Sequence, residues 1–97
     1  MSANTSAVSR ALTAAGFRKS VSRPTRIKGW HDWNEGFTCE KGYVDGTVIV
    51  AWRMAKWSRD SERRSQKLSE VGKALITKGY SVELDESWSW PRLVVTR

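Results

Sequence analysis

The chain has 97 residues, 17 of them Lys or Arg and 10 Asp or Glu, so its net charge is +7, and six residues are tryptophan. This length predicts one small domain, residues 1–97, whose core needs no covalent staples. One cysteine and one histidine exclude an intramolecular disulfide and a Cys/His zinc cage within a monomer, and we expect no cofactor. The longest strongly apolar run, residues 48–52, is too short to span a membrane. Residues 1–10 contain no signal segment, so we expect a cytoplasmic protein without membrane contact.

The first predicted element is a helix that begins at a polar cap among residues 4–6 and ends at Gly16. Residues 17–27 alternate like a strand, and Pro24 either restricts that strand to a sheet edge or breaks it in two. The segment 29–36, bounded by glycines, is predicted to be a loop. The apolar residues of the helix share one face at helical spacing: Val8, Ala11, Leu12 and Ala15.

A hairpin is the clearest local signal in the chain. Residues 37–44 and 47–54 flank Asp45-Gly46, the dipeptide that a two-residue type I′ turn prefers. The second strand carries apolar residues on both faces, which indicates a central strand of a sheet. One of these faces is formed by Val48, Val50, Trp52 and Met54.

A second helix is predicted from a cap at Ser58 or Asp60 to about Lys78, with Gly79 as its stop. A strand at 80–85, a loop at 86–91 and a strand at 93–96 follow. The order α-β-β-β-α-β-β predicts a two-layer α+β domain, with two helices on one face of a mostly antiparallel five-stranded sheet. The buried stripe of the second helix is predicted to comprise Leu68, Val71, Leu75 and Ile76.

Two segments resemble each other. Residues 8–17 (VSRALTAAGF) and 71–80 (VGKALITKGY) both place a helix, a glycine and an aromatic residue in the same order. The match is explained either by an internal duplication or by the common chemistry of a helix that ends at glycine and leads into a strand.

The positive charge is concentrated in two stretches. Residues 1–31 contain six cations and no acid, and residues 52–67 contain six cations and two acids. Arg59, Arg63 and Lys67 are predicted to form a ridge on the second helix, away from its apolar stripe. Cations early in a helix oppose its dipole, so helix stability does not explain their placement.

Binding to a polyanion would explain why cations are placed early in the second helix, because phosphate contacts favour clustered cations. A solvated face that maintains solubility is the alternative. The candidate nucleic-acid-binding residues are Arg18, Lys19, Arg23, Arg26, Lys28, Arg59, Arg63, Arg64 and Lys67.

The six tryptophans have different expected roles. Trp52 is predicted to lie in the core and Trp57 to cover its edge. The other four lie in predicted loops, where an indole can stack on a base, anchor a protein partner or fold back over the sheet. We expect at least two of these four to fold back. They are Trp30, Trp33, Trp88 and Trp90.

Few residues indicate catalysis. His31 lies beside Asp32, and Cys39 follows, but adjacent residues seldom form a productive acid–base pair. Cys39 shares the strand face of Phe37, which predicts a buried thiol. Three acids near residue 85 lack the second carboxylate cluster that metal-dependent phosphodiester chemistry uses. We expect no enzyme activity, no catalytic residues and no metal.

The order α-β-β-β-α over residues 3–78 is similar to that of double-stranded-RNA-binding domains. Gly29 and His31 precede a strand that begins Phe37-Thr38-Cys39-Glu40, and the second helix starts with cations. The resemblance implies that His31 enters a minor groove. It also implies that four cations hold phosphates across the major groove: Arg59, Arg63, Arg64 and Lys67.

The chain departs from that family in four ways. The spacing from Gly29 to His31 is shorter, Trp30 replaces the family's proline, the Lys-Lys pair is absent, and two further strands follow the second helix. Short toxin ribonucleases of the same fold place a catalytic histidine on a strand. As a whole the chain also looks like small proteins of actinobacteria and their phages.

Together these observations predict a small basic module that binds DNA or RNA mainly through backbone phosphates, in an accessory or regulatory role. The first alternative is an adaptor or inhibitor, of phage origin, whose loop tryptophans anchor an acidic protein partner. The second alternative is a nuclease or toxin that depends on His31.

Overall fold

The computed structural model describes residues 3–56, 58–87 and 89–97. Within them, the elements follow in the order α1 (Thr5–Ala14), β1 (Ser22–Pro24), β2 (His31–Trp33), β3 (Gly36–Lys41), β4 (Val48–Arg53), α2 (Ser61–Thr77), β5 (Ser81–Asp85) and β6 (Arg92–Thr96). The predicted α+β class and the order α-β-β-β-α-β-β are confirmed. One further short strand, β2, lies in the segment 29–36 that we expected to be a loop.

The strands form two antiparallel sheets, so the expectation of one five-stranded sheet is wrong. The main sheet has the strand order β3-β4-β6-β5, and β1 and β2 pair only with each other. Residues 21–32 are all exposed, because no layer packs against this two-stranded ribbon. We call residues 18–34 the arm.

The core lies between the helices and one face of the main sheet. β4 is a central strand, as predicted, and Val48, Val50, Trp52 and Met54 are all buried. The ring of Phe17 meets the ring of Trp52 edge-on, with centroids 6.3 Å apart. The helices bury Val8, Leu12, Leu68, Val71 and Leu75 against this face.

The predicted two-residue hairpin turn is wrong in length. Pairing of β3 with β4 ends where Lys41 faces Val48, so the connection comprises residues 42–47. A tight turn does lie within it, because the Thr47 N–H donates to the Val44 carbonyl at 3.1 Å and Gly46 has a φ of 84°.

α2 matches its prediction except for one residue of the apolar stripe. Asp60 caps the helix, and its carboxylate accepts the Arg63 N–H at 2.9 Å. Gly72 is buried in the stripe, whereas Ile76 is exposed beside Leu84 of the edge strand β5. Among the described residues, no helix is long and apolar enough to cross a membrane.

Both helices end with the same hydrogen-bond pattern. The Phe17 N–H donates to the Leu12 carbonyl at 3.1 Å, and the Tyr80 N–H donates to the Leu75 carbonyl at 3.1 Å. The intervening glycines, at positions 16 and 79, have φ values of 96° and 94°. This is the Schellman motif, in which a left-handed residue lets the chain turn back over the last helical turn.

The arm joins the main sheet through an unusually close contact at Gly36. The Phe37 N–H donates to the Arg18 carbonyl and the Ser20 N–H donates to the Phe37 carbonyl, both at 2.9 Å. Residues 18–20 therefore run parallel to the outer edge of β3. A Cβ on Gly36 would lie 2.6 Å from the Ser20 nitrogen and 2.7 Å from the Lys19 carbonyl carbon. The contact requires glycine, because both neighbours are backbone atoms.

We expect Gly36→Ala to lower the free energy of unfolding by about 1–3 kcal/mol, the usual cost of overpacking. Urea denaturation followed by circular dichroism measures this. Gly72→Ala is the matched control, because its Cβ would meet Leu93 Cδ1 at 3.5 Å and Val82 Cγ1 at 3.7 Å, which are ordinary contacts. Alanine also favours the helix over glycine by about 0.8–1 kcal/mol. A Gly36→Ala protein as stable as the wild type would contradict the close contact.

Candidate nucleic-acid interface

The arm gathers the first basic stretch on one exposed ribbon. Its residues 18–32 carry five cations and one carboxylate, Asp32. One side of the arm forms an open groove of about 690 Å³, which Arg18, Lys19 and Arg23 help to line. No described carboxylate forms an ion pair with any of the five cations. They are Arg18, Lys19, Arg23, Arg26 and Lys28, and all are exposed.

Hydrogen bonds of Asn34 and Ser20 fix the base of the arm. The Asn34 side chain accepts the Val21 N–H and donates to the Lys19 carbonyl, both at 2.9 Å. The Ser20 hydroxyl donates to the Asn34 carbonyl at 2.7 Å and accepts from Arg53 Nε at 2.8 Å. The arm is thereby joined to the end of β4.

Trp33 folds back onto the main sheet, but among the three described loop tryptophans it is alone in doing so, and the expectation of at least two is not met there. Its indole N–H donates to the Met54 carbonyl at 2.8 Å. The Arg53 guanidinium carbon and the Lys56 Nζ each lie 5.5 Å from its ring centroid, within the range of cation–π attraction. Lys56 Nζ also lies 5.1 Å from the ring centroid of Trp30, which is itself 51% exposed.

The side chain of Lys56 completes the attachment of the arm by donating to the His31 carbonyl.

His31 lies on β2 and not in a loop, so its predicted position is wrong. The cause is the pairing of Pro24 with His31, which extends the ribbon through this segment.

The second basic stretch is divided between structural and exposed cations. One oxygen of the Glu35 carboxylate, Oε2, accepts from Arg63 Nε at 2.8 Å and from the Trp52 indole N–H at 2.8 Å. Lys67 Nζ lies 5.9 Å from the Trp52 ring centroid and 3.7 Å from the Glu70 carboxylate. These two cations therefore face the edge of the core.

The predicted ridge of Arg59, Arg63 and Lys67 away from the core is consequently wrong. Arg63 turns toward the Glu35 carboxylate and Lys67 toward the face of Trp52. Arg59 precedes the helix, which begins at Ser61.

The environment of Glu35 favours its charged form. The hydrogen bond from Arg63, together with the weaker effect of the one from Trp52, holds the pKa of the Glu35 carboxyl below its ordinary value of 4.5, against the opposing effect of partial burial. The same hydrogen bond raises the pKa of Arg63.

A second groove crosses the face of the main sheet that the helices leave uncovered. It has a volume of about 730 Å³, and Thr38 and Ala51 lie within it as opposed residues of β3 and β4. Arg64 and Trp90 line it from α2 and the loop 86–91, with the guanidinium carbon 5.2 Å from the Trp90 ring centroid. Trp90 is 56% exposed.

Two of the predicted tryptophan roles concern residues outside the described part of the chain, Trp57 and Trp88. Of the other loop tryptophans, Trp33 folds back, whereas Trp30 and Trp90 present exposed ring surface beside a cation. Exposed indoles of this kind can stack on planar groups.

The described residues offer binding groups more than reactive ones. Burial raises the pKa of the Cys39 thiol to about 11, so the thiolate that would act as a nucleophile is scarce at neutral pH. Asp85 pairs with Arg92 at 3.5 Å. In the described ranges, no group of three or more His, Cys, Asp or Glu lies close enough to hold a metal.

Four contributors to the interface escaped sequence reasoning: Asn34, Glu35, Arg53 and Lys56. The position of Arg53 could have been predicted from the alternation of β4. Val50 and Trp52 are buried on one face of this strand, so Arg53 lies on the opposite, uncovered face. The others act through residues 15 to 28 positions away, which no local pattern records.

Comparison of the chain with protein-family models, with curated proteins and with solved structures returns no match. The resemblance to double-stranded-RNA-binding domains stays a prediction.

The Glu35 ion pair makes stability depend on pH. The pKa of Glu35 is lower in the folded than in the unfolded chain. The ion pair therefore stabilises the folded chain fully above about pH 4.5, and this stabilisation is lost as the pH falls through the lowered pKa. We expect the free energy of unfolding to decrease from about pH 5 to about pH 3. Glu35→Gln should remove part of that dependence and cost roughly 0.5–1 kcal/mol at neutral pH, since solvent screens a partner that is 49% exposed.

Urea denaturation across this pH range provides the measurement. Asp85→Asn is the control, because hydrogen bonds from Ser87 and then Arg92 lower the pKa of Asp85 as well. The Asp85→Asn variant should lose a different part of the pH dependence of the free energy of unfolding. Identical pH profiles for the wild type and Glu35→Gln would contradict the assigned role of Glu35.

Proposed function

We propose that the protein binds nucleic acid mainly through backbone phosphates, with the arm as its principal contact. The observation that carries the proposal is the arm itself, a ribbon whose residues 21–32 are all exposed. Two strands alone are only marginally stable in water, and this ribbon contributes little to the core. Fold stability therefore does not explain why the chain builds it.

The shape and charge of the arm suit a nucleic-acid groove. A two-stranded ribbon fits the major groove of duplex DNA, which is about 12 Å wide, and several DNA-binding folds insert strands in this way. Five cations with one nearby carboxylate give the arm a strongly positive surface. Each phosphate that they neutralise releases counterions, which favours binding at low salt.

The contacts of Arg63 and Lys67 within the fold favour the arm as the site of the proposed phosphate contacts. Arg63 donates a hydrogen bond to Glu35, and Lys67 lies near the ring of Trp52. Both cations are therefore engaged within the fold and are less available to a phosphate. Arg59 and Arg64 remain as candidates from the second basic stretch. The phosphate contacts we propose therefore belong chiefly to the arm, at Arg18, Lys19, Arg23, Arg26 and Lys28.

A second candidate function is binding of an acidic protein. The observation that favours it is the apolar surface at the turn of the arm, where Ile27 is 64% exposed and Trp30 is 51% exposed. Exposed aromatic residues are common anchors of protein interfaces. Binding of this kind would depend on Ile27, whereas phosphate binding would not.

The first proposal is tested by fluorescence polarisation with labelled duplex DNA, duplex RNA and single strands at several salt concentrations. Arg26→Glu combined with Lys28→Glu should weaken binding for all sequences alike, by about tenfold or more at low salt, and should reduce the salt slope by about 2. The reason is the loss of two phosphate contacts and the introduction of two like charges.

Lys41→Glu combined with Lys73→Glu is the matched control. It changes the net charge equally at exposed residues near the opposite end of β3 and on the second half of α2. The control should retain most of the affinity. No binding by the wild type at low salt, or equal losses in the two double variants, would contradict the proposal.

A further inference from the structure

We propose that the groove on the uncovered face of the main sheet binds a single-stranded segment of nucleic acid, with a base stacked on Trp90 and an adjacent phosphate held by Arg64 and Arg53. This inference rests on the proposed function. It assigns unpaired nucleotides to the body of the molecule, in addition to the arm.

The groove has the dimensions of a ligand site. Its volume of about 730 Å³ lies within the range of about 300–1,000 Å³ that is usual for small-molecule and cofactor sites. Thr38 and Ala51, paired on neighbouring strands, contribute small side chains to its lining. Trp33 and Trp90 bound it from the arm and from the loop 86–91. A planar base and its sugar can therefore lie between two aromatic walls.

Three of the described cations line the groove, and one of them, Arg92, pairs with Asp85 at 3.5 Å. The other two have no ion-pair partner among the described residues. Arg53 donates to the Ser20 hydroxyl and Arg64 lies against the Trp90 ring. The described residues also offer no hydrogen-bond partner to Arg64 Nε, which is buried. A guanidinium held against an aromatic face is oriented in advance for a phosphate. Glu40 is the one acid among the described lining residues.

The aromatic groups indicate unpaired bases instead of a duplex. Stacking requires an exposed face of the base, which single strands offer and base-paired duplexes hide. Trp90 is 56% exposed and has one cation, Arg64, near its ring. Trp33 is less exposed, has two cations near its ring and has its N–H bonded to Met54. Trp90 is therefore the stacking residue, and Trp33 is a wall.

The experiment compares a labelled oligothymidine with a duplex of equal length, using the full chain. Trp90→Ala should weaken oligothymidine binding by at least about fivefold, the lower bound for a lost base stack, and should leave duplex binding within about twofold of the wild type. Trp90→Phe, which retains an aromatic face, should recover most of the affinity. Arg64→Gln should weaken oligothymidine binding and reduce its salt slope by about 1.

Tyr43→Ala is the control for loss of an exposed aromatic residue, because Tyr43 lies on the β3–β4 connection and does not line the groove. It should bind both probes like the wild type. Circular dichroism melting verifies that every variant is folded, and the Phe variant keeps the test valid if the Ala variant is not.

The outcomes separate the two proposals. Loss of oligothymidine binding alone in Trp90→Ala and Arg64→Gln supports the groove. Normal oligothymidine binding in folded Trp90 and Arg64 variants, with loss of both probes in the arm variant, overturns the groove and leaves the arm proposal standing. A wild-type protein that binds neither probe overturns both.

Discussion

The side chain of Glu35 connects the parts of the molecule on which the proposed interface depends. It lies between the arm and β3, and its Oε2 atom accepts hydrogen bonds from Trp52 of the central strand and from Arg63 of α2. One carboxylate oxygen thus ties the base of the arm to both layers of the fold. Gly36, the next residue, permits the close parallel contact of residues 18–20 with β3. These two adjacent residues position the arm together with the hydrogen bonds of Asn34 and Ser20 at its base.

This arrangement separates the cations of a basic protein into two classes. Arg63 and Lys67 have an acceptor or an aromatic face within the fold, so their charges contribute to stability. No described carboxylate forms an ion pair with a cation of the arm. A net charge of +7 therefore overstates the charge that is free for a partner, but it understates how strongly that charge is concentrated on one ribbon.

Sequence reasoning succeeded where local chemistry decides the structure. The two helix ends follow from glycines that accept a left-handed conformation, and the alternation in β4 follows from burial of one face. The matching hydrogen bonds at residues 17 and 80 account for the similarity of the two helix–glycine segments. They agree both with a duplication and with shared local chemistry.

The sequence-based predictions failed where contacts between residues far apart in the chain decide the structure. β2 has three residues, His31, Asp32 and Trp33, that bury no common face, so no periodicity marks it as a strand. Its pairing depends on contacts with residues 53–56 of β4 and the segment after it. The orientation of Arg63 likewise depends on a carboxylate 28 positions earlier, which a helical projection of α2 cannot represent.

The proposed interface depends on contacts between the arm and phosphates. Its most direct test is an NMR titration of the labelled full chain with a short DNA duplex, performed at low and at high salt. We expect backbone amide shifts at low salt to concentrate in residues 18–34 and to decline as salt is added, because the contacts release counterions. Shifts that spare the arm while other surfaces respond, or that persist unchanged at high salt, would contradict it.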